Sequence, residues 1–345
     1  MKLIRTEDAV GQVLCHDMTQ IIRGVTKDAV FRKGHIVRPE DIPVLLSIGK
    51  DHIYVWEKQE GMLHEDEAAE ILCRMCIGDR ENACFVRSGV KEGKIEILAG
   101  EDGLLKVNRK LLYQINSLGQ MMIAVRHGNL PVKKGDKLAG TRIIPLVIEE
   151  EKMLRAESLC GGEPILQLMP FKNKRVGILT TGNEVFYGRI EDTFTPVIEE
   201  KLSEYPARVI AHEILGDDHE RITAAILHMI REEGADLVIC TGGMSVDPDD
   251  RTPLAIKNTG AQIVSYGAPV LPGAMFLLAY YEGGIPVLGL PGCVMYAKRT
   301  IFDLVLPRIM ADDPVTAMEL AALGEGGLCL SCPVCTWPNC GFGKA

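Results

Sequence analysis

The spacing of hydrophobic residues changes twice along the chain. Up to about residue 57, short apolar runs alternate with glycines. Residues 11–15, 29–31 and 52–56 read as strands, and 38–47 as a short helix closed by Gly49. This is a β-rich module, placed at 1–60. Between 61 and 168 the pattern is mixed. Ala68, Ile71, Leu72 and Met75 share one helical face. Residues 94–98 alternate as a half-buried strand does, and Leu111, Leu112 and Ile115 repeat at helical spacing within 108–117. Strands at 120–126 and 142–148, joined through a tight turn in 132–140, complete an α+β module.

From 169 to 314 the chain alternates strand and helix, after a linker over 161–174. Strands are expected at 175–180, 207–212, 236–241, 262–265 and 286–290, and helices at 193–203, 218–233, 252–258 and 294–309. Such alternation predicts an α/β unit: a parallel sheet with helices on both faces. Asp217 with Glu220 forms a capping box for the second helix, whose Ile222, Ile226, Met229 and Ile230 make an apolar stripe. Residues 315–345 read as a flexible cysteine-rich tail, with a glycine-containing hinge over 321–328.

Length and composition narrow the class. A chain of 345 residues predicts two to three domains. Hydrophobic content of 47% and charged content of 25% are those of an ordinary globular protein. A net charge of −9 argues against a general nucleic-acid binder. No apolar run is long enough to span a bilayer, and the amino terminus has no hydrophobic signal core, so the expected location is the cytoplasm. In that reducing compartment Cys15, Cys73, Cys76, Cys84, Cys160, Cys240 and Cys293 read as mostly buried thiols.

Three glycine-containing turns follow three expected strands: Thr180-Thr-Gly-Asn-Glu184, Thr241-Gly-Gly-Met-Ser245 and Leu290-Pro-Gly-Cys293. Parallel strands place their carboxyl ends on one edge, where ligands of open α/β sheets sit. Thr241 to Asp250 combines glycines that let a phosphate approach the backbone with Asp247, Asp249 and Asp250, acids able to hold a divalent cation. Each acid has a plainer reading. Glu184 is either a ligand or a first-turn carboxylate set against the helix dipole. Asp250 is a ligand or a capping acid, with its place after the glycines favouring function. Asp217 and Asp218 read as caps, and Asp247 and Asp249 as solvated loop acids. Ser245 has no histidine in the local pattern and is not read as a nucleophile. The eight histidines show no metal-ligand spacing.

The tail carries Cys329-Leu-Ser-Cys332-Pro-Val-Cys335-Thr-Trp-Pro-Asn-Cys340. Four thiolates suit tetrahedral zinc. The run also approaches a ferredoxin-type ligand set, its last gap being one residue longer. A redox-active disordered tail is the alternative.

The 241–253 segment resembles the signature of molybdopterin-binding domains. Thr181-Gly-Asn-Glu184 is similar to the Thr-Gly-Asp-Glu turn of that superfamily, and Pro272-Gly273 and Gly289-Leu-Pro-Gly292 match two further turns in order and spacing. The resemblance covers about 170–312. It implies a three-layer, parallel, mixed-edge sheet. With some 170 residues upstream it is most similar to the molybdopterin molybdenumtransferases, usually dimeric enzymes that insert molybdate into adenylylated molybdopterin with Mg²⁺ and release AMP.

The resemblance implies catalytic roles for Glu184, Asp250 and Asp217, with Mg²⁺ on Glu184 and Asp250. It implies cofactor contacts from Thr181, Gly182, Asn183, Thr241, Gly242, Gly243, Ser245, Pro272, Gly273, Pro291 and Gly292. Molybdate or tungstate, a second copy of the chain and a recipient molybdoenzyme are the implied partners. Two departures stand out. The family's Lys-Pro-Gly-Lys-Pro loop is Val270-Leu-Pro-Gly-Ala-Met275 here, without lysines, and Gly-Asn-Pro is replaced by Gly292-Cys-Val294. A non-catalytic cofactor carrier and a nucleotide pyrophosphatase of the competence/damage-inducible type are therefore kept as alternatives.

Overall fold

In the computed structural model, residues 2–22, 26–55, 60–78, 84–245 and 250–344 are described. Trp56 of an expected strand and the loop acids Asp247 and Asp249 lie outside these residues. The chain divides into two compact units, one of residues 1–100, 107–126 and 135–167, the other of 101–106, 127–134 and 168–345. No helix among the described residues is long and apolar enough to cross a membrane.

In the first unit, Lys2–Arg5 pairs antiparallel with His52–Val55, and Met18–Ile22 with Thr26–Phe31. The strand expected over 11–15 does not form. Gly11 turns the chain at φ +83°, and only isolated bridges remain at Val13 and Leu14. Leu14 instead enters a small core with Met18, Val37, Leu45 and Ile53. An antiparallel sheet of Phe85–Arg87, Lys94–Ala99, Lys137–Ile143 and Met121–Val125, in that order, follows. Its third strand starts earlier than expected, and 147–149 form a separate short strand. The helix expected near 65–76 spans Glu65–Ile77 and buries Ala68, Leu72 and Met75, while Ile71 is half-buried. His64 and Glu67 close its start as a capping box.

The second unit contains a six-stranded sheet. Its strands are β1 (Lys174–Thr181), β2 (Ala207–Leu215), β3 (Leu237–Thr241), β4 (Gln262–Tyr266), β5 (Leu277–Tyr281) and β6 (Ile285–Leu290). Their spatial order is β2-β1-β3-β6-β5-β4. The first four in that order are mutually parallel; β5 runs antiparallel to both of its neighbours, β6 and β4, so β4 points the same way as the first four. Strand β5 was not expected. Gly283 and Gly284, at φ +75° and +82°, fold it back onto β6 in a hairpin.

The helices are α1 (Asn183–Phe186), α2 (Phe194–Leu202), α3 (His219–Arg231), α4 (Thr252–Asn258), α5 (Ile301–Met310) and α6 (Ala317–Ala322). Side chains alternate across the sheet. Val176, Ile178, Leu237, Ile239 and Leu288 pack on one face with Ile198 and Leu202 of α2 and the apolar side of α5. Leu179, Val238, Cys240 and Val287 pack on the other with Ile222, Ile226 and Met229 of α3 and Ile256 of α4. Gly177 lets α3 approach, since a Cβ there would meet Met229 Sδ at 2.8 Å.

Three local expectations are corrected. The N-cap of α3 is Asp218, whose Oδ1 accepts from the N–H groups of Glu220 and Arg221, rather than Asp217. The helix expected from 294 begins at 301, because Thr300 and Asp303 form a capping box there. The glycine-containing stretch after 320 is also packed more closely than a hinge. Helix α6 ends at Ala322, Leu271 N–H donates to Gly327 O and Cys329 N–H donates to Leu271 O, both at 2.8 Å. Trp337 and Phe342, 9% and 4% exposed, then rejoin the core that contains α5.

Candidate functional site

Registers align the carboxyl ends of the parallel strands. Thr180 lies opposite Thr241, Thr181 opposite Leu215, and Thr241 opposite Leu290. The three glycine turns expected to converge thus leave one edge of the sheet. Leu277, the first residue of β5, pairs with Gly289 near the end of β6, so the preceding Pro272-Gly273 turn joins the same edge.

Two of the turns are tied together by hydroxyls. Thr181 Oγ1 donates to Thr241 O at 3.1 Å and meets Thr252 Oγ1 at 2.9 Å. The glycines between them have no room for a side chain. A Cβ on Gly242 would lie 2.0 Å from Thr181 O, and one on Gly243 would lie 2.9 Å from Thr252 Oγ1. Both residues have positive φ, +81° and +52°. The buried Thr241 hydroxyl itself has no hydrogen-bond partner among the described residues.

The acids are brought to these turns. Asp250 Oδ2 accepts from Ser245 N–H at 2.6 Å, which fastens the loop after the glycines. Asp217 Oδ2 accepts from Asn183 N–H at 3.0 Å, and Asn183 Oδ1 accepts from Asp217 N–H at 3.3 Å. Asp217 therefore braces the Gly182–Glu184 turn. Glu184 is exposed, and its carboxylate lies over Gly182, where a Cβ would stand 3.0 Å from Oε1. Two of the amides expected to face a phosphate are engaged within the chain: Gly182 N–H donates to Leu215 O and Ser245 N–H to Asp250.

Pro272-Gly273 is held against α5. Ile301 N–H donates to Pro272 O at 3.2 Å, and a Cβ on Gly273 would meet Ile301 Cγ2 at 2.4 Å. Pro291 O accepts from Val294 N–H at 3.1 Å, and Gly292 faces open space.

Sequence patterns did not point to two further features of this edge. Tyr266, the last residue of β4, donates its hydroxyl to Met244 O at 2.9 Å and so supports the Gly-Gly-Met-Ser loop. Burial, then the nearby Asp250, pushes its phenol up. The second feature is a polar cluster at the end of β1. Asp192 Oδ2 accepts from Thr195 Oγ1 at 2.6 Å and Thr180 Oγ1 at 3.0 Å, and lies 3.3 Å from His212 Nε2. Burial works against the ionised form of Asp192. The hydrogen bonds from Thr195, Thr180 and Phe194 N–H outweigh it and hold the carboxyl below its ordinary value. The only sequence signal was an Asp three residues before a Thr at a helix start. Cys240, inside the sheet beneath this edge, is pushed up to about 12 by burial, so it stays a neutral thiol.

Among the described residues, no group of three or more His, Cys, Asp or Glu stands close enough together to hold a metal ion. Glu184, Asp217 and Asp250 do not form a three-carboxylate cage. The four tail cysteines do not stand as a closed tetrahedral set: Cys329 and Cys340 are half-buried against the core, Cys332 and Cys335 exposed.

A mostly parallel sheet whose strand ends carry tied glycine turns and acids defines an α/β domain with its candidate ligand edge at the carboxyl ends of the strands. Residues 177–311 match the family described as "Probable molybdopterin binding domain". Residues 3–57 match a family described as a domain of unknown function. Two curated relatives are molybdopterin molybdenumtransferases. That of Synechococcus elongatus is 27% identical over 243 residues, covering 66% of this chain and 57% of the relative. That of Haemophilus influenzae is 29% identical over 320 residues, covering 89% and 71%. The chain thus spans little more than half the length of the first of these. Among solved structures, the molybdopterin biosynthesis enzyme MoaB of Thermus thermophilus is 28% identical, with a TM-score of 0.34, over 39% of this chain and 91% of its own.

Proposed function

We propose that the sheet edge binds molybdopterin, or its adenylylated form, and that the protein acts in molybdenum or tungsten cofactor biosynthesis. One observation carries this reading: the hydroxyl link from Thr241 through Thr181 to Thr252 joins the two glycine turns into one shaped edge. Glu184 follows Thr181 by three residues, and Asp250 precedes Thr252 by two, so both acids flank that link. Gly242 and Gly243, without side chains, let their turn close against Thr181 O and Thr252 Oγ1, and the backbone of that turn would meet the phosphate.

The chemistry that fits is metal insertion with release of AMP. Glu184 and the oxygen of Asp250 not bonded to Ser245 are the groups that would hold Mg²⁺. Two carboxylates completed by water satisfy that ion, so no third acid is needed among the described residues. When bound, Mg²⁺ would offset charge on the phosphate that departs. Asp217 holds the Glu184 turn through Asn183, and Tyr266 holds the opposite loop through Met244, so both act as positioning residues. Molybdate or tungstate is the substrate, captured by sulfur atoms of the pterin. A homodimer and a recipient molybdoenzyme belong to the same reading.

Incubation with adenylylated molybdopterin, molybdate and Mg²⁺ tests it. Release of AMP in step with molybdate uptake is the expected outcome. Tight pterin binding with no AMP would leave a carrier, the reading favoured by the missing lysines around Pro272-Gly273. Failure to bind pterin at all would remove the assignment. Turnover of ADP-ribose in its place would establish the nucleotide pyrophosphatase.

A further inference from the structure

The tail forms one wall of a cavity of about 660 Å³ in the second unit, lined by Cys329, Cys332, Cys335, Cys340, Lys298 and Trp337 among others. Two of these cysteines are fixed in place. Cys329 is held by its N–H bond to Leu271 O, and Cys340 packs against the core between the buried Trp337 and Phe342. The other two, Cys332 and Cys335, are exposed on the turn that spans the fixed pair.

Besides the hydroxyls of Tyr296, Ser331 and Thr336, the cavity is lined by the donors Lys298, Arg299 and Trp337. Lys298 Nζ reaches the Pro333 carbonyl, inside the Cys332-Pro-Val-Cys335 turn, at 3.0 Å. Trp337 is only 9% exposed, yet its indole N–H has no acceptor among the described residues. A buried donor without a partner is costly and calls for an acceptor that is still to arrive. Neutral thiols are weak acceptors, whereas thiolates on a metal are good ones, and such outer-shell donors commonly accompany ligating side chains.

We propose that this cavity is a binding site for a single thiophilic divalent ion, Zn²⁺, held by Cys329, Cys332, Cys335 and Cys340. The exposed pair closes onto the fixed pair as the ion enters. Four thiols lose four protons to solvent, four sulfur–zinc bonds form, and the product carries two negative charges. The ammonium of Lys298 and the N–H of Trp337 face that charge. The zinc then pins the tail to the turn containing Pro272. Because the ion is held by protein thiolates alone, the site is independent of pterin binding.

The full chain, purified without chelators under anaerobic conditions, tests the proposal. The expected content is about one zinc per chain, released by a mercurial that blocks thiols. Cobalt in its place should give the intense near-ultraviolet sulfur-to-metal band and the visible bands of a tetrahedral site. The double variant Cys332→Ser/Cys335→Ser, altered only at exposed positions, should keep the circular dichroism of the parent and lose the metal. A parent chain that takes up less than about a tenth of an equivalent after zinc reconstitution overturns the site. Equal metal in the parent and the double variant overturns the ligand assignment. A brown protein containing iron and acid-labile sulfide overturns the single-ion reading.

Discussion

The hydroxyls of Thr181 and Thr252 meet at 2.9 Å across 71 residues of sequence. Thr181 gives its own proton to Thr241 O, so Thr252 supplies the proton between the two hydroxyls. This chain fixes the end of β1, the end of β3 and the start of α4 relative to one another. A ligand seated on the two glycine turns meets loops whose separation is set before it arrives, which lowers the ordering cost of binding.

Gly242→Ala places a methyl group 2.0 Å from Thr181 O, at a residue with φ +81°. Neither backbone can yield without separating β1 from β3. The expected loss is about 2 kcal/mol or more of folding stability, from clash and left-handed strain together. Urea unfolding measures it. A variant as stable as the parent would mean the turns are not packed this way.

Substitution at Asp250 separates fastening from metal binding. Asp250→Asn keeps an oxygen that can accept from Ser245 N–H but loses the charge. If the acid only fastens the loop, pterin affinity should stay within about threefold of the parent, while Asp250→Ala weakens it by about tenfold. If the acid also holds Mg²⁺, both variants and Glu184→Gln should lose the Mg²⁺ dependence of AMP release. Titrating Mg²⁺ at saturating pterin reads the difference.

The neighbouring acids Asp217 and Asp218 should behave oppositely. Asp218→Ala removes the cap of α3 and should cost about 1 kcal/mol, with ligand affinity unchanged. Asp217→Ala frees the Asn183 turn and should weaken pterin binding more than it lowers stability. Parallel measurements of unfolding midpoint and affinity on both variants check the split.

Asp192 predicts a pH dependence. Its folded value lies below the ordinary 3.8, so the unfolded chain binds the proton more readily. The stability this group contributes is complete above about pH 4 to 5 and is lost as pH falls through 3.8 and on through the lower folded value. The difference in urea midpoint between the parent and Asp192→Asn should be largest near neutrality and shrink below pH 4. A difference that grew on acidification would reverse the assigned sign.

Local patterns carried much of the second unit. Five apolar runs of strand length became β1, β2, β3, β4 and β6, and the stripe of Ile222, Ile226, Met229 and Ile230 became the buried face of α3. A strand or an amphipathic helix is recorded in neighbouring residues, so spacing alone reveals it. Strand β5 escaped notice because Leu277–Tyr281 alternates with nothing polar. Its identity depends on the hairpin made by Gly283 and Gly284. In the first unit, the apolar run at 11–15 was misleading: Leu14 is buried from a loop, and burial without pairing leaves the same hydrophobic signature as a strand.

From its sequence alone, this protein was bound to have glycine turns and acids at the ends of successive strands, because small residues and carboxylates at those points are written in consecutive positions. Only the tertiary structure decided which acid does what. Asp218 caps a helix, Asp217 braces a turn, Asp250 fastens a loop, and Tyr266 arrives from a strand on the far side of the sheet. Whether the tail hangs free or packs was likewise settled by distant contacts, those of Trp337 and Phe342 with the core around α5. Hydrogen bonds and burial between residues far apart in sequence depend on strand register and on which side chains share a face, and neither is set by any one segment.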